Sequence, residues 1–380
     1  MKKVLIFSTA YLPLIGGAEL AVKEITDRLV GDFEFDLICA RIKKELPRSE
    51  NAGTVNIYRV GWGWGKIDKF LLSWRGAALA SKLHAAEKYN MVWAIMASFG
   101  GLAALKFKLK YRAIPYLLTL QEGDTPKHIA SRAQWLGPYY KKMFMQADYI
   151  QAISNFLANW AKNMGVKCPI EVVPNGVDID KFQETRNNNQ KLKEELNIKP
   201  EEKVIITVSR LVKKNGVEDL IQAMSFLPEN TKLLIVGDGE KRAHLSFVIG
   251  NLSLGKRIFL LGSVSPGSVA DYLSISDLFV RPSLSEGLGS AFLEAMAAGV
   301  PIIGTRVGGI PDFLADGETG LFCEVSNPKN IAEKIELLLN DDNLRQKLIF
   351  NGKKLVEEKY NWNIIAKQIK AIFRKLKIEN

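Results

Sequence analysis

The chain has 380 residues, 47% of them hydrophobic and 24% charged, with a formal net charge of +11. This length is too great for one ordinary core, so we expect two domains of about 180 residues each. No apolar run reaches the length of a transmembrane helix, and the three widely spaced cysteines match neither a disulfide framework nor a metal site. An integral membrane protein and a disulfide-stabilised secreted domain are therefore excluded.

The N-terminus imitates a signal peptide, because Lys2 and Lys3 precede an apolar stretch. That stretch is interrupted by Pro13 and passes into Gly16 and Gly17, which is typical of a buried strand, a turn and a helix. We therefore expect a cytoplasmic protein. A peripheral position on the inner face of the membrane is left open by the basic region described below.

Short β-rich runs alternate with helical patterns along the chain, which indicates parallel sheets covered by helices. Strands are predicted in the first half at residues 4–8, 35–40, 55–60, 91–97, 115–120, 149–154 and 170–174. Strands are predicted in the second half at residues 203–209, 232–238, 257–263, 278–283, 300–305 and 320–325. The predicted fold class is α/β, with two Rossmann-like, doubly wound parallel-sheet domains that face each other across a cleft.

A polar, Asn-rich segment at residues 178–203 separates the two sets of strands. We predict an N-terminal domain at residues 1–180 and a C-terminal domain at residues 181–360. The last segment, residues 361–380, has an amphipathic helical pattern whose apolar face needs a surface to cover. We expect this helix to pack back on the N-terminal domain.

Positive charge is concentrated in residues 66–112, where nine basic residues accompany two acidic ones. Four aromatic residues lie beside or among these charges: Trp62, Trp64, Phe70 and Trp74. Basic residues next to aromatics suit a surface that binds anionic lipid headgroups. A solvated basic face with its aromatics in the core is an equal alternative. Nucleic acid is not expected as a partner, because no recognised nucleic-acid module is present.

Two glutamates stand out in residues 285–313: Glu286 in a glycine-rich turn and Glu294 in an apolar helical run. A helix that is apolar all round is buried, and a buried carboxylate needs a partner, for which a ligand hydroxyl is the candidate. Eight residues span at most about 12 Å of helix, comparable to the distance from sugar to ribose in a nucleotide-diphosphate sugar. Gly287 and Gly289 leave N–H groups free at a helix N-terminus, which favours phosphate.

Together with other loop motifs, this segment resembles the retaining glycosyltransferases of family 4, which have the two-domain GT-B fold. The resemblance covers essentially the whole chain, from the Gly-Gly turn through "AISNF", "VVPNGVDIDKF", "VSRL" and "VGDGE" to the closing "EKYNW". It implies that Glu294 binds the ribose hydroxyls and that Glu286 holds the donor sugar. It further implies that Arg210 and the backbone of Gly17 hold the pyrophosphate.

Two positions depart from the family pattern. Asn215 stands where members often carry a lysine, so Lys213 or Lys214 would supply the charge for the phosphate. Gln121, in "LTLQEGD", stands where many members carry a histidine. Glutamine can bond a hydroxyl but cannot titrate.

The predicted site has three groups of residues. The catalytic group is Glu286, Arg210 and Lys214. The donor-binding group is Gly16, Gly17, Lys213, Asn215, Gly237, Val264, Gly287, Leu288, Gly289, Ser290 and Glu294. The acceptor-cleft group is Gln121, Glu122, Asp124 and Asn175. No metal or other cofactor is expected, because cationic side chains and a helix N-terminus can replace the Coulombic role of a metal.

The resemblance implies sugar transfer from a UDP- or GDP-linked donor to an acceptor hydroxyl, with the anomeric configuration retained. We expect a glycan or lipid-linked acceptor in cell-surface polysaccharide or glycolipid synthesis. Two alternatives stay open: a catalytically silent GT-B subunit that binds a membrane or a partner, and a sugar-nucleotide epimerase. A dinucleotide-dependent oxidoreductase is disfavoured because the first turn lacks Gly-x-Gly-x-x-Gly.

Overall fold

The computed structural model describes residues 1–14, 16–125, 128–129, 131, 137–184, 189–265 and 267–376. The chain forms two compact units, Met1–Asn175 with Trp362–Asn380, and Gly176–Asn361. The division therefore falls five residues before the predicted boundary at 180, because the helix Ile179–Glu184 packs within the second unit. Residues 377–380 of the predicted last helix lie outside the described residues.

The first unit contains an eight-stranded sheet in the order β3-β4-β2-β1-β5-β6-β7-β8. Its strands are β1 Lys2–Phe7, β2 Phe33–Ala40, β3 Ser49–Ala52, β4 Val55–Val60, β5 Met91–Ile95, β6 Tyr116–Leu120, β7 Tyr149–Ala152 and β8 Ile170–Val172. Neighbouring strands are parallel except for β3, which pairs antiparallel with β4 at the edge. The sequence did not predict β3, because its residues are polar and lack the β-branched pattern of a strand.

Helices of the first unit are Gly17–Leu29, Lys66–Leu71, Ala77–Glu87, Phe99–Lys110, Pro138–Met145 and Asn155–Asn163, with a π-helical turn at Leu72–Gly76. The helix Trp362–Lys375 returns to this unit and buries its apolar face in the same core. There the ring of Phe373 lies 5.2 Å from that of Phe33 and 5.5 Å from that of Trp93.

The second unit contains a six-stranded parallel sheet in the order β11-β10-β9-β12-β13-β14. Its strands are β9 Lys203–Val208, β10 Thr231–Val236, β11 Ile258–Gly262, β12 Leu278–Arg281, β13 Ile302–Thr305 and β14 Leu321–Cys323. Its helices are Ile179–Glu184, Asn189–Glu195, Val217–Ala223, Arg242–Asn251, Val269–Ser274, Ser290–Ala297, Pro328–Asn340 and Asp342–Lys359.

Both sheets reverse their strand order once, between β1 and β5 in the first unit and between β9 and β12 in the second. Open α/β sheets bind ligands beyond the carboxyl ends of the strands at such switch points. Two α/β units with parallel sheets are what the sequence predicted, and this fold class is confirmed. Within the described ranges, no helix is both long and apolar enough to cross a bilayer.

Candidate functional site

The loops after β9 and β12 contact each other at the switch point of the second sheet. The Leu284 N–H donates to the carbonyl of Lys214 at 2.7 Å. Gly216 has a φ of +64°, and a Cβ on it would lie 1.9 Å from the carbonyl oxygen of Pro282. Only glycine tolerates both this backbone conformation and this approach. The two loops therefore form one packed surface where a ligand is expected.

Glu286 is anchored by an arginine at the end of β12. The Nη2 of Arg281 lies 2.5 Å from Oε2 of Glu286, and both side chains are largely buried, with exposed fractions of 7% and 16%. Arg281 also donates to the carbonyl of Val208 at 3.2 Å, and its guanidinium lies 4.7 Å from the ring centroid of Phe292. The Glu286 carboxylate is therefore oriented in the absence of a ligand.

The backbone of Glu286 is fixed by the loop after β13. Its carbonyl accepts the N–H of Gly309 at 3.1 Å. Gly308 has a φ of +55°, and a Cβ on it would lie 1.7 Å from that carbonyl oxygen. Arg281 and Gly308 were not predicted as site residues. The available signals were a basic residue that ends a buried strand and a Gly-Gly pair in the same segment.

Glu294 lies half-buried in the helix Ser290–Ala297. Burial raises the pKa of its carboxyl above the ordinary value, while the charges of Lys181 and Arg281 act in the opposite direction. Among the described residues, none donates a hydrogen bond to this carboxylate. The helix begins at Gly289, which has a φ of +98°, and no side chain caps its N-terminus. A half-buried carboxylate without a protein partner can accept a hydrogen bond from a ligand hydroxyl.

The backbone of residues 287–290 leads from Glu286 into this helix. Gly287, Leu288 and Gly289 are buried, and Ser290 is half-buried. A Cβ on Gly289 would lie 3.0 Å from Nη2 of Arg281 and 3.3 Å from Cγ of Glu286. The predicted sugar- and phosphate-binding amides therefore lie directly beside the ion pair.

A side-chain hydrogen bond within the basic loop after β9 holds the backbone of that loop. Arg210 and Lys213 are exposed, and Lys214 is half-buried in the turn Lys213–Asn215. The buried Asn215 donates from Nδ2 to the carbonyl of Arg210 at 2.6 Å. This amide therefore positions the backbone of Arg210, whereas the sequence pattern assigned the position to direct donor binding.

The loops after β10 and β11 extend the same sheet edge. Gly237 has a φ of +132° and donates to the carbonyl of Gly262 at 2.7 Å. A Cβ on Gly237 would lie 1.9 Å from the carbonyl oxygen of Ser209, which closes the gap to the loop after β9. Val264 is half-buried just beyond β11. The predicted residues of the second unit thus lie on four neighbouring loops.

Several polar atoms near the ends of β9 and β12 are buried without a partner among the described residues. They are Thr207 Oγ1, Ser209 Oγ, Arg281 Nε and Ser283 Oγ. Native proteins bond nearly all buried polar groups, so such a cluster needs an explanation. A polar ligand or ordered water at the switch point would satisfy these atoms.

The first unit has its own switch point, between the loops after β1 and β5. Thr9 and Ser98 join these loops through their hydroxyls at 2.9 Å. Gly16 precedes the helix Gly17–Leu29, and no side chain caps that helix. The predicted Gly-Gly turn therefore lies at the start of the first helix after β1.

The acceptor-cleft prediction falls on the loop after β6. Glu122 is buried, and its Oε1 accepts the N–H of Ala97 at 2.7 Å, while Oε2 has no partner among the described residues. Burial raises the pKa of Glu122 to about 7, although the N–H groups of Ala97, Glu122 and Gln121 act against this rise. The neighbouring Met96 has a φ of +69°, a strained conformation for a non-glycine residue. Glu122 thus holds a strained turn beside the switch point.

The structure brings two further acceptor-cleft residues together. The Nδ2 of Asn175 donates to Oε1 of Gln121 at 3.2 Å, and Asn175 is buried. Asp124 is half-buried in the same loop. Gln121 is thus held by a residue far away in sequence, which the sequence pattern did not show.

Two family models match the chain. The model described as Glycosyltransferase Family 4 matches residues 15–181, and the model described as Glycosyl transferases group 1 matches residues 188–355. N-acetyl-alpha-D-glucosaminyl L-malate synthase of Bacillus anthracis is 35% identical over 232 residues, which are 60% of each chain. The capsular polysaccharide biosynthesis glycosyltransferase CapM of Staphylococcus aureus is 34% identical over 206 residues, 52% of each chain. The alignments therefore span little more than half of these relatives.

Solved structures resemble the whole chain. Sucrose-phosphate synthase from Thermosynechococcus elongatus superposes with a TM-score of 0.86 at 21% identity over 99% of both chains. Anabaena HepE in complex with UDP-glucose superposes with a TM-score of 0.82 at 19% identity, over 99% of this chain and 100% of HepE. At these identities the likeness shows the fold, which is GT-B. The matches to both family models show that this chain belongs to glycosyltransferase family 4.

Proposed function

We propose that the protein transfers a sugar from a nucleotide-diphosphate donor to an acceptor hydroxyl, with retention of the anomeric configuration and without a metal. The observation that carries this proposal is the juxtaposition of the Glu286–Arg281 ion pair with an uncapped helix N-terminus and the unpartnered Glu294. Along residues 286–294, Glu286 suits a sugar, the helix N-terminus suits a phosphate, and Glu294 suits a ribose.

In this reaction the bond from the anomeric carbon to the departing phosphate oxygen breaks, and a bond from that carbon to the acceptor oxygen forms. The acceptor proton passes to the departing phosphate. In the transition state the breaking bond leaves negative charge on the departing diphosphate, and groups aimed at that charge stabilise the transition state. We assign this role to Arg210, to Lys213 or Lys214, and to the amides at Gly289. Glu286 holds the sugar hydroxyls and Glu294 the ribose.

The donor and acceptor classes are supported by relatives. HepE has been solved with UDP-glucose, which favours a UDP-linked donor over a GDP-linked one. CapM acts in capsular polysaccharide biosynthesis, which favours a cell-surface glycan or lipid-linked acceptor. Synthesis of such glycans would place this protein in the cytoplasm at the inner face of the membrane.

Thermal unfolding with UDP, GDP, ADP and their common sugars, in EDTA, tests the donor site. A ligand at about 100 times its dissociation constant adds about 2.7 kcal/mol to the stability. We expect a shift with one nucleotide family that is lost in Glu294→Ala and kept in the control Glu336→Ala, an exposed glutamate on the helix Pro328–Asn340. No shift with any nucleotide would favour a silent subunit, and a shift that requires a divalent cation would contradict metal independence.

Turnover assays then separate the remaining alternatives. A transferase releases nucleotide diphosphate with an acceptor, whereas an epimerase converts the donor without one. NMR of the product's anomeric proton reports retention or inversion. A covalent double displacement would instead need a carboxylate nucleophile on the opposite face of the sugar. Glu122→Ala tests Glu122 in that role, because an unchanged turnover would exclude it as a nucleophile.

A further inference from the structure

A rigid turn after β4 presents two tryptophans to solvent. Residues 61–65 are Gly-Trp-Gly-Trp-Gly, and the three glycines have φ values of +121°, +90° and +70°. A Cβ on Gly63 would lie 2.5 Å from the backbone nitrogen of Lys44. The fully buried Asp68 accepts the N–H of Trp62 at 2.6 Å and also that of Trp64. Because the backbone is fixed from inside, both indoles are directed outward.

The exposed apolar surface continues along the next helical turns. We define the aromatic patch as five exposed side chains: Trp62, Trp64, Ile67, Phe70 and Trp74. Trp64 and Trp74 are 56% and 63% exposed, although tryptophan is usually well buried. The alternative of a basic face with its aromatics in the core is therefore wrong for these residues. A contiguous exposed apolar patch marks an interaction site.

Basic residues surround the aromatic patch. Three exposed lysines lie next to the turn. Lys66 follows it in the chain, and Lys43 and Lys44 lie across from Trp64 and Gly63. The exposed Arg75 has its guanidinium 4.3 Å from the ring centroid of Trp62. The Nζ of Lys106 lies 2.7 Å from the ring centroid of Trp74 but is buried, so it does not belong to the exposed rim. The patch is therefore an apolar centre with a positive rim.

One cation in residues 66–112, Lys108, is part of the folded interior. The buried Lys108 donates to the carbonyls of Arg112 and Ile114 and to the carboxylate of Asp148 at 2.7 Å. It cannot contribute to a surface. The structure thus removes Lys108 from the basic surface, whereas Lys82, Lys88, Lys110 and Arg112 are exposed outside the aromatic patch.

We propose that the aromatic patch docks the protein onto an anionic lipid bilayer. Indoles settle at the headgroup level, where one part of the ring is apolar and the N–H meets water, and basic side chains there attract anionic lipid. The aliphatic Ile67 favours lipid over a glycan chain. Trp62 is also covered by Arg75 and by Trp64, whose ring centroid lies 5.0 Å away, so it offers no open face for a sugar. Since the turn is rigid, little ordering is needed on binding.

Vesicle flotation tests the proposal, with phosphatidylcholine vesicles that contain or lack phosphatidylglycerol. We expect the unaltered protein to float with anionic vesicles, and Trp64→Ala/Trp74→Ala to lose at least about tenfold in partitioning. The matched control is Phe247→Ala/Phe350→Ala, which removes two aromatics that are equally exposed in the second unit. Lys66→Gln should cost about fivefold at low salt and less at high salt.

Quenching by brominated lipid provides the second measurement, because only tryptophans at the bilayer are quenched. Equal flotation of the patch variant and its control would overturn the proposal, as would equal binding to neutral vesicles. Binding that is displaced by a soluble acidic polysaccharide or an acidic protein would instead assign the patch to that partner. If the double variant misfolds, the Lys66→Gln result decides. Nucleotide binding is measured without vesicles, so failure here is distinct from failure of the proposed activity.

Discussion

The two switch points of this protein are built by different means. At the second sheet, glycines with positive φ press against neighbouring backbone, as Gly216, Gly237 and Gly308 do. At the first sheet, Gly100 and Gly101 also approach neighbouring backbone but without a positive φ, and side chains hold the loops, as in the Glu122–Ala97 contact. Backbone contacts leave little room for substitution, whereas one side chain can be exchanged for another. Under the proposed function, this difference suits a constant donor at the second unit and a changeable acceptor at the first.

The largest effect is expected at Arg281, because this one side chain orients Glu286 at the switch point of the second sheet. Arg281→Met leaves the Glu286 carboxylate buried without its ion-pair partner, so we expect a loss of about 3–5 kcal/mol in unfolding free energy. Turnover should fall by about 100-fold or more, because Glu286 is no longer oriented. Denaturant unfolding and steady-state kinetics measure both. Arg306→Met, at an exposed arginine, is the control and should stay within about 0.5 kcal/mol. Equal behaviour of the two variants would refute the role of Arg281.

The pH dependence of stability tests the role of Glu122, which holds a loop at the first switch point. A pKa raised from 4.5 to about 7 corresponds to about 3 kcal/mol. Because the folded state binds the proton more tightly, this stability is present below pH 4.5 and is lost as the pH rises through 7. The free energy of unfolding of Glu122→Gln, measured across this pH range, should not show that loss. In alkaline buffer it should exceed the value of the unaltered protein. Parallel pH profiles for the two proteins would contradict the burial of a titrating group.

Substitution of Glu294 should change stability and nucleotide affinity in opposite directions. Glu294→Gln removes the charge whose burial raises the pKa, so the variant should be more stable at neutral pH than the unaltered protein. Its nucleotide affinity should fall about tenfold or more, since hydrogen bonds to a charged group contribute about 1.5–3 kcal/mol. Thermal unfolding and titration calorimetry measure the two quantities. A variant that loses stability and keeps its affinity would show that the carboxylate is structural.

The smallest effect is expected at Asn215. Asn215→Ala removes its hydrogen bond to the carbonyl of Arg210 and should cost about 1 kcal/mol. The donor KM should rise while kcat changes less, because Arg210 loses its support and not its charge. Asn215→Lys would introduce a buried charge and should be less stable than Asn215→Ala. A tighter donor in the lysine variant would show that this position contacts phosphate directly.

The strands and the two glutamates could be predicted because each leaves a local pattern. Buried strands are apolar runs, and Glu286 and Glu294 interrupt glycine-rich and apolar surroundings. Arg281 could not be assigned, because only the folded loop shows that its guanidinium turns to Glu286. The role of Asn215 depends on one hydrogen bond to a main-chain carbonyl, which no residue pattern reveals.

Edges and surfaces were the least predictable parts. β3 is a polar strand that pairs with β4 through its backbone and through polar side chains, Asn51 with Asn56 and Glu50 with Arg59, so it lacks an apolar pattern. The tryptophans at 62 and 64 could belong to a core or a surface by composition. Their exposure is decided by three left-handed glycines and by the buried Asp68.

The helix Trp362–Lys375 completes a core whose other residues come from Met1–Asn175. The entire second unit is made between these two stretches. During synthesis, the surface of the first unit along Gly17–Leu29 therefore stays uncovered until the helix Trp362–Lys375 has left the ribosome. A chain that stops before Trp362 would contain the whole second unit, Gly176–Asn361, and a first unit without its covering helix. The core of the first unit therefore depends on a helix that is made after the entire second unit.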